Sequence, residues 1–157
     1  YLHSNWINYR DLNGLLTTIE KILSIDPAIE IKIIGGVPQW YPSAPKLLLR
    51  QRVTSLNNLS GYMMRNDDFI KVKKRDNELI NLLSTYKNRY SIDFISLLDE
   101  LCEGGKCIAV VADCDNLEPI SFDYGHLTVA GSKLVARFII NEVDEVDADD
   151  FIGLQCM

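Results

Sequence analysis

The run Ile29-Glu30-Ile31-Lys32-Ile33-Ile34, entered after Pro27 and left through Gly35-Gly36, decides the class of fold. Four of its six residues are isoleucine, whose branched side chain suits a packed, pleated strand better than a helix. A short and nearly continuous apolar run of this kind reads as a strand buried in a sheet. Parallel neighbours of such a strand are reached only through crossovers of a dozen or more residues, so helices are expected on either side of it.

Upstream, Leu12, Leu15, Leu16, Ile19, Ile22 and Leu23 recur at helical spacing behind Asp11, a candidate N-cap, which predicts an amphipathic helix over 11–24. Residues 1–6 begin apolar and read as a strand running into a loop at Ser4-Asn5-Trp6. Downstream, 46–62 carries a weaker helical pattern, whereas Leu79, Ile80, Leu82, Leu83 and Tyr86 give 76–86 one broad apolar face. Ile92 and Phe94 alternate with polar neighbours over 91–95, as in a strand, and a short helix is expected over 97–101. Residues 107–112 read as a further apolar strand. Thr128 caps a last helix in which Val129, Leu134, Val135, Phe138 and Ile139 are expected to point inward. Strands alternating with helices imply an α/β protein built on a doubly wound parallel sheet, and no internal repeat is visible. Chemistry in such sheets gathers beyond the carboxyl ends of the strands, where Ser4-Asn5-Trp6 and the loop from Gly35 to Pro45 fall.

The chain has 157 residues, the size of one domain, and no apolar run long enough to span a bilayer as a helix. With 16 basic against 22 acidic residues, its net charge of −6 disfavours nucleic acid and anionic lipid as partners and favours neutral substrates. Much of that acidity lies in 142–157, read as a solvated tail behind a domain spanning 1–141. None of Cys102, Cys107, Cys114 and Cys156 has C-x-x-C spacing, so no metal site is expected. Cys102 and Cys107 bracket Glu103-Gly104-Gly105-Lys106, a turn that brings two sulfurs together in an oxidising compartment and leaves two free thiols in a reducing one. Asp113-Cys114-Asp115-Asn116 lacks the glycine and distal glutamate of a calcium loop and is read as a turn.

Only two histidines occur, His3 and His126. His126 follows Asp123 by three residues in the turn entering the last helix, a spacing at which a carboxylate can face a ring nitrogen. Such a carboxylate sets the tautomer, and the second nitrogen is then free to take a proton from a hydroxyl nucleophile. A surface pair or a helix-capping arrangement would show the same spacing. Trp40 and Tyr41 could offer an apolar platform to a sugar ring or an acyl chain, or could cover the edge of the core.

The continuation Asp123-Tyr124-Gly125-His126-Leu127-Thr128-Val129-Ala130-Gly131 resembles the carboxyl-terminal block of the SGNH (GDSL-like) hydrolases, D-x-x-H-L-[ST]-x-x-G. The likeness is sharper within one branch. Ile33-Ile34-Gly35-Gly36-Val37-Pro38-Gln39-Trp40, with Pro42, Pro45 and Lys46 and preceded by Ser4-Asn5-Trp6, is similar to SGNH domains fused behind membrane acyltransferase-3 modules. A cysteine-flanked turn shortly before the catalytic block, like that at Cys102 and Cys107, is also found in that branch. The resemblance covers 4–138. It implies a three-layer, flavodoxin-like sheet and a periplasmic or extracytoplasmic setting. It also implies O-acylation or deacylation of cell-envelope polysaccharide such as lipopolysaccharide by Ser-His-Asp chemistry, without a cofactor or metal, and a membrane acyltransferase module in the same parent chain.

Within that resemblance His126 is the base and Asp123 its orienting acid, and Asn5 falls where the family places an amide that binds the oxyanion. The family's G-D-S block on its first strand, and the glycine after its second, are not found in this sequence. Ser132 follows a glycine but lies six residues beyond His126, out of easy reach of the base. The chain is therefore expected to be cut from a longer one, to lack the first strands of the fold, and to depend on a serine outside it. The competing expectation is a non-catalytic α/β module that binds glycan or protein. A receiver-like signalling domain would need clustered acids at its first strand, which this sequence lacks.

Overall fold

The expected strand is Ile31–Ile34 (β2), the centre of a three-stranded parallel sheet of order β1-β2-β4, in which β1 is Leu2–His3 and β4 is Ile92–Ile95. The structure is a computed structural model that describes residues 2–3, 12–50, 62–63, 66–103, 106–113 and 116–144. Its contacts divide the chain into two compact units, Tyr1–Gly36 with Ile70–Leu98, and Val37–Phe69 with Asp99–Met157.

In the first unit, β1, the helix Asn13–Ile25 (α1) and β2 form a β-α-β crossover, and β4 adds in parallel with Ile31 opposite Ile92 and Ile34 opposite Ile95. Leu15, Ile19 and Leu23, one helical turn apart, carry α1 onto Ile31, Ile33 and Ile92, which share one face of the sheet. Each such side chain, once fully buried, contributes about 1.5–3 kcal/mol. Lys32 and Asp93, in register on the other face, form an ion pair at 3.6 Å, and Lys32 also meets Glu30 at 3.0 Å. The N-cap position of α1 is Leu12, with no side-chain cap, and Asp11 lies outside the described residues.

A helix follows at Ala44–Arg50 (α2), and the two-residue strand Tyr62–Met63 (β3) precedes Asn66–Lys87 (α3). Helix α3 begins ten residues before the expected start at Asp76. Val72, Asp76, Leu79 and Leu83 form one buried stripe, with Asp76 1% exposed. Its Oδ2 accepts the Ser96 hydroxyl at 2.7 Å, and its Oδ1 lies 3.1 Å from where a Cβ on Gly35 would sit. A polar residue on the buried stripe hid the first half of the helix from a periodicity reading.

In the second unit the chain passes through Leu97–Leu101 (α4) into the hairpin Cys102–Glu103 (β5) and Lys106–Cys107 (β6), with β3 paired antiparallel on the far side of β6. Cys102 and Cys107 stand opposite each other and are joined by a disulfide. The single strand expected over 107–112 is instead two. After β6, the Ile108 N–H turns to the Leu101 carbonyl, and Val110–Asp113 (β7) pairs antiparallel with Asn116–Pro119 (β8). The last helix, Val129–Asp144 (α5), packs on β7 and β8 and runs into the segment expected to be tail. Val129 points outward rather than inward, because Ala130 and Gly131 take the buried side of the first turn. No helix among the described residues is long and apolar enough to cross a membrane.

The disulfide closes a short loop, and a cross-link of that span contributes about 2 kcal/mol by restricting the unfolded chain. A reducing agent is therefore expected to lower the thermal midpoint by roughly 4–8 °C. Replacing both Cys102 and Cys107 by serine should remove that sensitivity. Equal melting curves with and without reductant would contradict the pairing.

Candidate functional site

The residues between β8 and α5 fold into a closed loop. Ser121 bridges Leu127, the Phe122 N–H donates to the His126 carbonyl at 3.0 Å, and the Thr128 N–H donates to the Ile120 carbonyl at 3.0 Å. Inside it, the buried Ser121 hydroxyl donates to the Asp123 carbonyl at 3.1 Å. Asp123 organises the rest. Its Oδ1 accepts the N–H groups of Gly125 at 2.9 Å and His126 at 2.8 Å, the local side-chain-to-backbone pattern that makes aspartate a turn former. Its Oδ2 is left to face His126 Nδ1 at 2.6 Å.

Thr128 locks the exit of the loop. Its hydroxyl donates to the Pro119 carbonyl at 2.7 Å and accepts the Gly131 N–H at 3.1 Å, so a single oxygen ties β8 to the first turn of α5. At Gly131 the helix comes so near the strand that a Cβ would lie 2.1 Å from the Ile120 carbonyl oxygen. No side chain fits there.

These bonds dictate the electrostatics. Two backbone N–H donors, that of Gly125 foremost and then that of His126, hold the Asp123 carboxyl down from 3.8 to about 2, with a smaller push the same way from the His126 ring. An ionised carboxylate can only accept, so the hydrogen between Oδ2 and Nδ1 belongs to the imidazole, and the lone pair of the neutral ring is on Nε2. The His126 side chain is 62% exposed. Because the pKa of Asp123 is depressed, what its carboxylate adds to the loop is fully present above 3.8 and is lost as pH falls through about 2. The amide resonances of Gly125 and His126 are expected to titrate together with a midpoint near 2. A midpoint near 3.8 would mean that they do not bond to Oδ1.

Rings surround the pair. Phe122 stacks on the His126 imidazole at 5.7 Å between centroids and 15° between planes, and Tyr124 meets it edge-on at 5.5 Å. Tyr41 stacks on Tyr124 at 6.1 Å. The segment carrying Tyr41 is fastened to the loop by its backbone, through Trp40 N–H to the Tyr124 carbonyl at 2.8 Å and Ala44 N–H to the Asp123 carbonyl at 3.4 Å. The peptide bond between Tyr41 and Pro42 is cis. Trp40 itself is 1% exposed, as expected of a ring that covers the core rather than of an open platform, and its neighbour Tyr41 is the exposed one.

The structure thus brings together Asp123, His126 and Tyr41. Asn5 lies outside the described residues. Cys102 and Cys107 belong to the hairpin, whose cavity, lined by Asp99, Glu103, Lys106 and Ile108 among others, includes no residue of 121–128. Among the described residues no three His, Cys, Asp or Glu side chains gather so as to hold a metal ion. Phe122 and Tyr124 went unassigned in the sequence, although their spacing, four and two residues before His126, was the signal.

A sequence model of the SGNH domain fused to AT3 domains matches residues 2–141. No curated protein sequence matches the chain. Among solved structures, the periplasmic domain of a lipopolysaccharide acetyltransferase from Salmonella ser. Paratyphi A is similar. It is 25% identical, with a TM-score of 0.60 over 84% of this chain and 48% of that one. The chain spans about half the length of that structure.

Proposed function

Because the chain belongs to the family of SGNH domains fused to AT3 domains, we propose that Asp123 and His126 are the acid and base of a Ser-His-Asp carbohydrate O-acyltransferase or esterase acting on cell-envelope polysaccharide. An acyltransferase- or esterase-type domain is what the family and the similar acetyltransferase domain support. The observation that carries the finer reading is the 2.6 Å contact between Oδ2 and Nδ1, with the carboxylate anchored on two backbone N–H groups and the His126 side chain largely exposed.

In this reading His126 Nε2 takes the proton of a serine hydroxyl supplied from outside this chain as that oxygen attacks the acyl carbonyl. The tetrahedral intermediate collapses as His126 returns the proton to the leaving group. A sugar hydroxyl or water, deprotonated by the same nitrogen, then attacks the acyl-serine, and His126 returns that proton to the serine oxygen as its bond to the acyl carbon breaks. Transfer and hydrolysis differ only in that second nucleophile. An amide donor at Asn5 would stabilise the oxyanion. The setting is periplasmic or extracytoplasmic, with the acyl group delivered by an AT3 module of the same parent chain.

The test is an aryl acetate assay on this chain extended upstream within its parent protein. The extension is expected to bring a G-D-S serine and restore turnover, and His126→Ala is expected to remove it. An upstream region without a serine at a strand end, or undiminished turnover in the variant, would refute the assignment.

A further inference from the structure

Four rings of the second unit form one continuous row: Tyr41 on Tyr124, Tyr124 against His126, His126 on Phe122. The three aromatic members are exposed, by 49% at Tyr41, 41% at Tyr124 and 63% at Phe122. Scattered exposed apolar side chains are ordinary on protein surfaces, but a contiguous set in a row is the mark of a binding surface. The hydrogen bonds described above that close the loop use none of these three rings. They run through the backbone, the Ser121 hydroxyl and the Asp123 carboxylate.

Given the catalytic reading above, on which this inference rests, we propose that Tyr41, Tyr124 and Phe122 are a track for consecutive sugar rings of a neutral oligosaccharide, with His126 set in its middle. Flat faces and two phenolic hydroxyls complement a ligand that is apolar on its ring faces and polar at its rim. Neutral sugars fit the charge: residues 121–128 hold no lysine or arginine, and Asp123 is ionised. The reacting hydroxyl must come to His126, and this ring has an aromatic neighbour on each side. One sugar therefore leaves part of the row empty, whereas an internal unit of a chain places its neighbours over Phe122 in one direction and over Tyr124 and Tyr41 in the other. The site would thus select a polymer by length and discriminate against a small ester.

The test uses the parent protein and, as acceptor, the host's own envelope polysaccharide, stripped of acyl groups with mild base and supplied both as single sugars and as longer oligomers. KM is expected to fall with acceptor length in the native protein. Tyr41→Ala and Phe122→Ala should each raise the oligomer KM about three- to tenfold, a change that Tyr41→Phe and Phe122→Tyr should largely reverse. Their effect on the single sugar should be markedly smaller. Leu117→Ala, at an exposed apolar residue of β8 outside the row, should leave the oligomer KM unchanged. Equal losses with oligomer, single sugar and aryl acetate would overturn the track, since the rings would then serve only to hold His126. Self-association abolished by the alanine variants without a length-dependent KM would also overturn it, making the row a contact between copies. Calorimetric binding of the oligomer to His126→Ala separates the two proposals. Retained, length-dependent binding that needs Tyr41 and Phe122 supports the track even if turnover in that variant refutes the catalytic reading, and absent binding refutes the track even if turnover is lost.

Discussion

Asp123→Asn in the parent protein is expected to lower kcat by about 10⁴-fold while leaving the loop folded. The asparagine carbonyl oxygen can still accept the N–H groups of Gly125 and His126, so the turn survives. Its amide nitrogen, however, would present donors to His126 Nδ1 where Oδ2 now accepts. The imidazole must then carry its hydrogen on Nε2 and cannot take a proton from the serine. Asp123→Ala should lose both the tautomer and the turn, and so differ from asparagine in the amide spectrum of residues 122–126 while matching it in activity. An asparagine variant within about tenfold of the native rate would show that Asp123 builds the loop without setting the chemistry.

Gly131→Ala should produce the largest loss of stability of any single methyl addition described here. The group it adds would sit 2.1 Å from the Ile120 carbonyl oxygen, and that obstacle is backbone, which cannot rotate aside as a side chain would. The same carbonyl accepts the Thr128 N–H, so moving it disturbs the latch between β8 and α5. Overpacking of this severity costs about 3 kcal/mol, or roughly 6–12 °C in the thermal midpoint. Gly125→Ala is the matched comparison. A Cβ there would meet only the flexible Gln39 side chain, at an ordinary 3.6 Å. Equal midpoints for the two variants would count against the close approach of helix and strand.

The two variants act at opposite ends of one short segment, and the segment explains why so few residues carry so much of the reading. Asp123 gives one oxygen to the turn and the other to His126, and Thr128 gives one hydroxyl to the strand and to the helix. Because His126 is held by bonds within its own loop, the Asp123–His126 geometry is set locally.

The sequence by itself determined what depends on near neighbours. The isoleucines between Pro27 and Gly35 favour a strand, formed at Ile31–Ile34, Asp123 reaches His126 because they are three residues apart in one turn, and Thr128 caps a helix that starts at the next residue. Only the tertiary structure decided which side chains are covered and which meet across the chain. It placed Asp76 within a buried helical stripe, hid Trp40 while exposing Tyr41, turned Val129 outward, divided 107–112 between two pairings, and lined up Tyr41, Tyr124 and Phe122 about His126. The physical reason is one of range. A hydrogen bond across three or four residues is set by backbone geometry that the local sequence carries. Burial and ring stacking depend on where distant segments come to rest, and Tyr41 and Tyr124 meet only because the backbone of 40–44 is bonded to a loop eighty residues further along the chain.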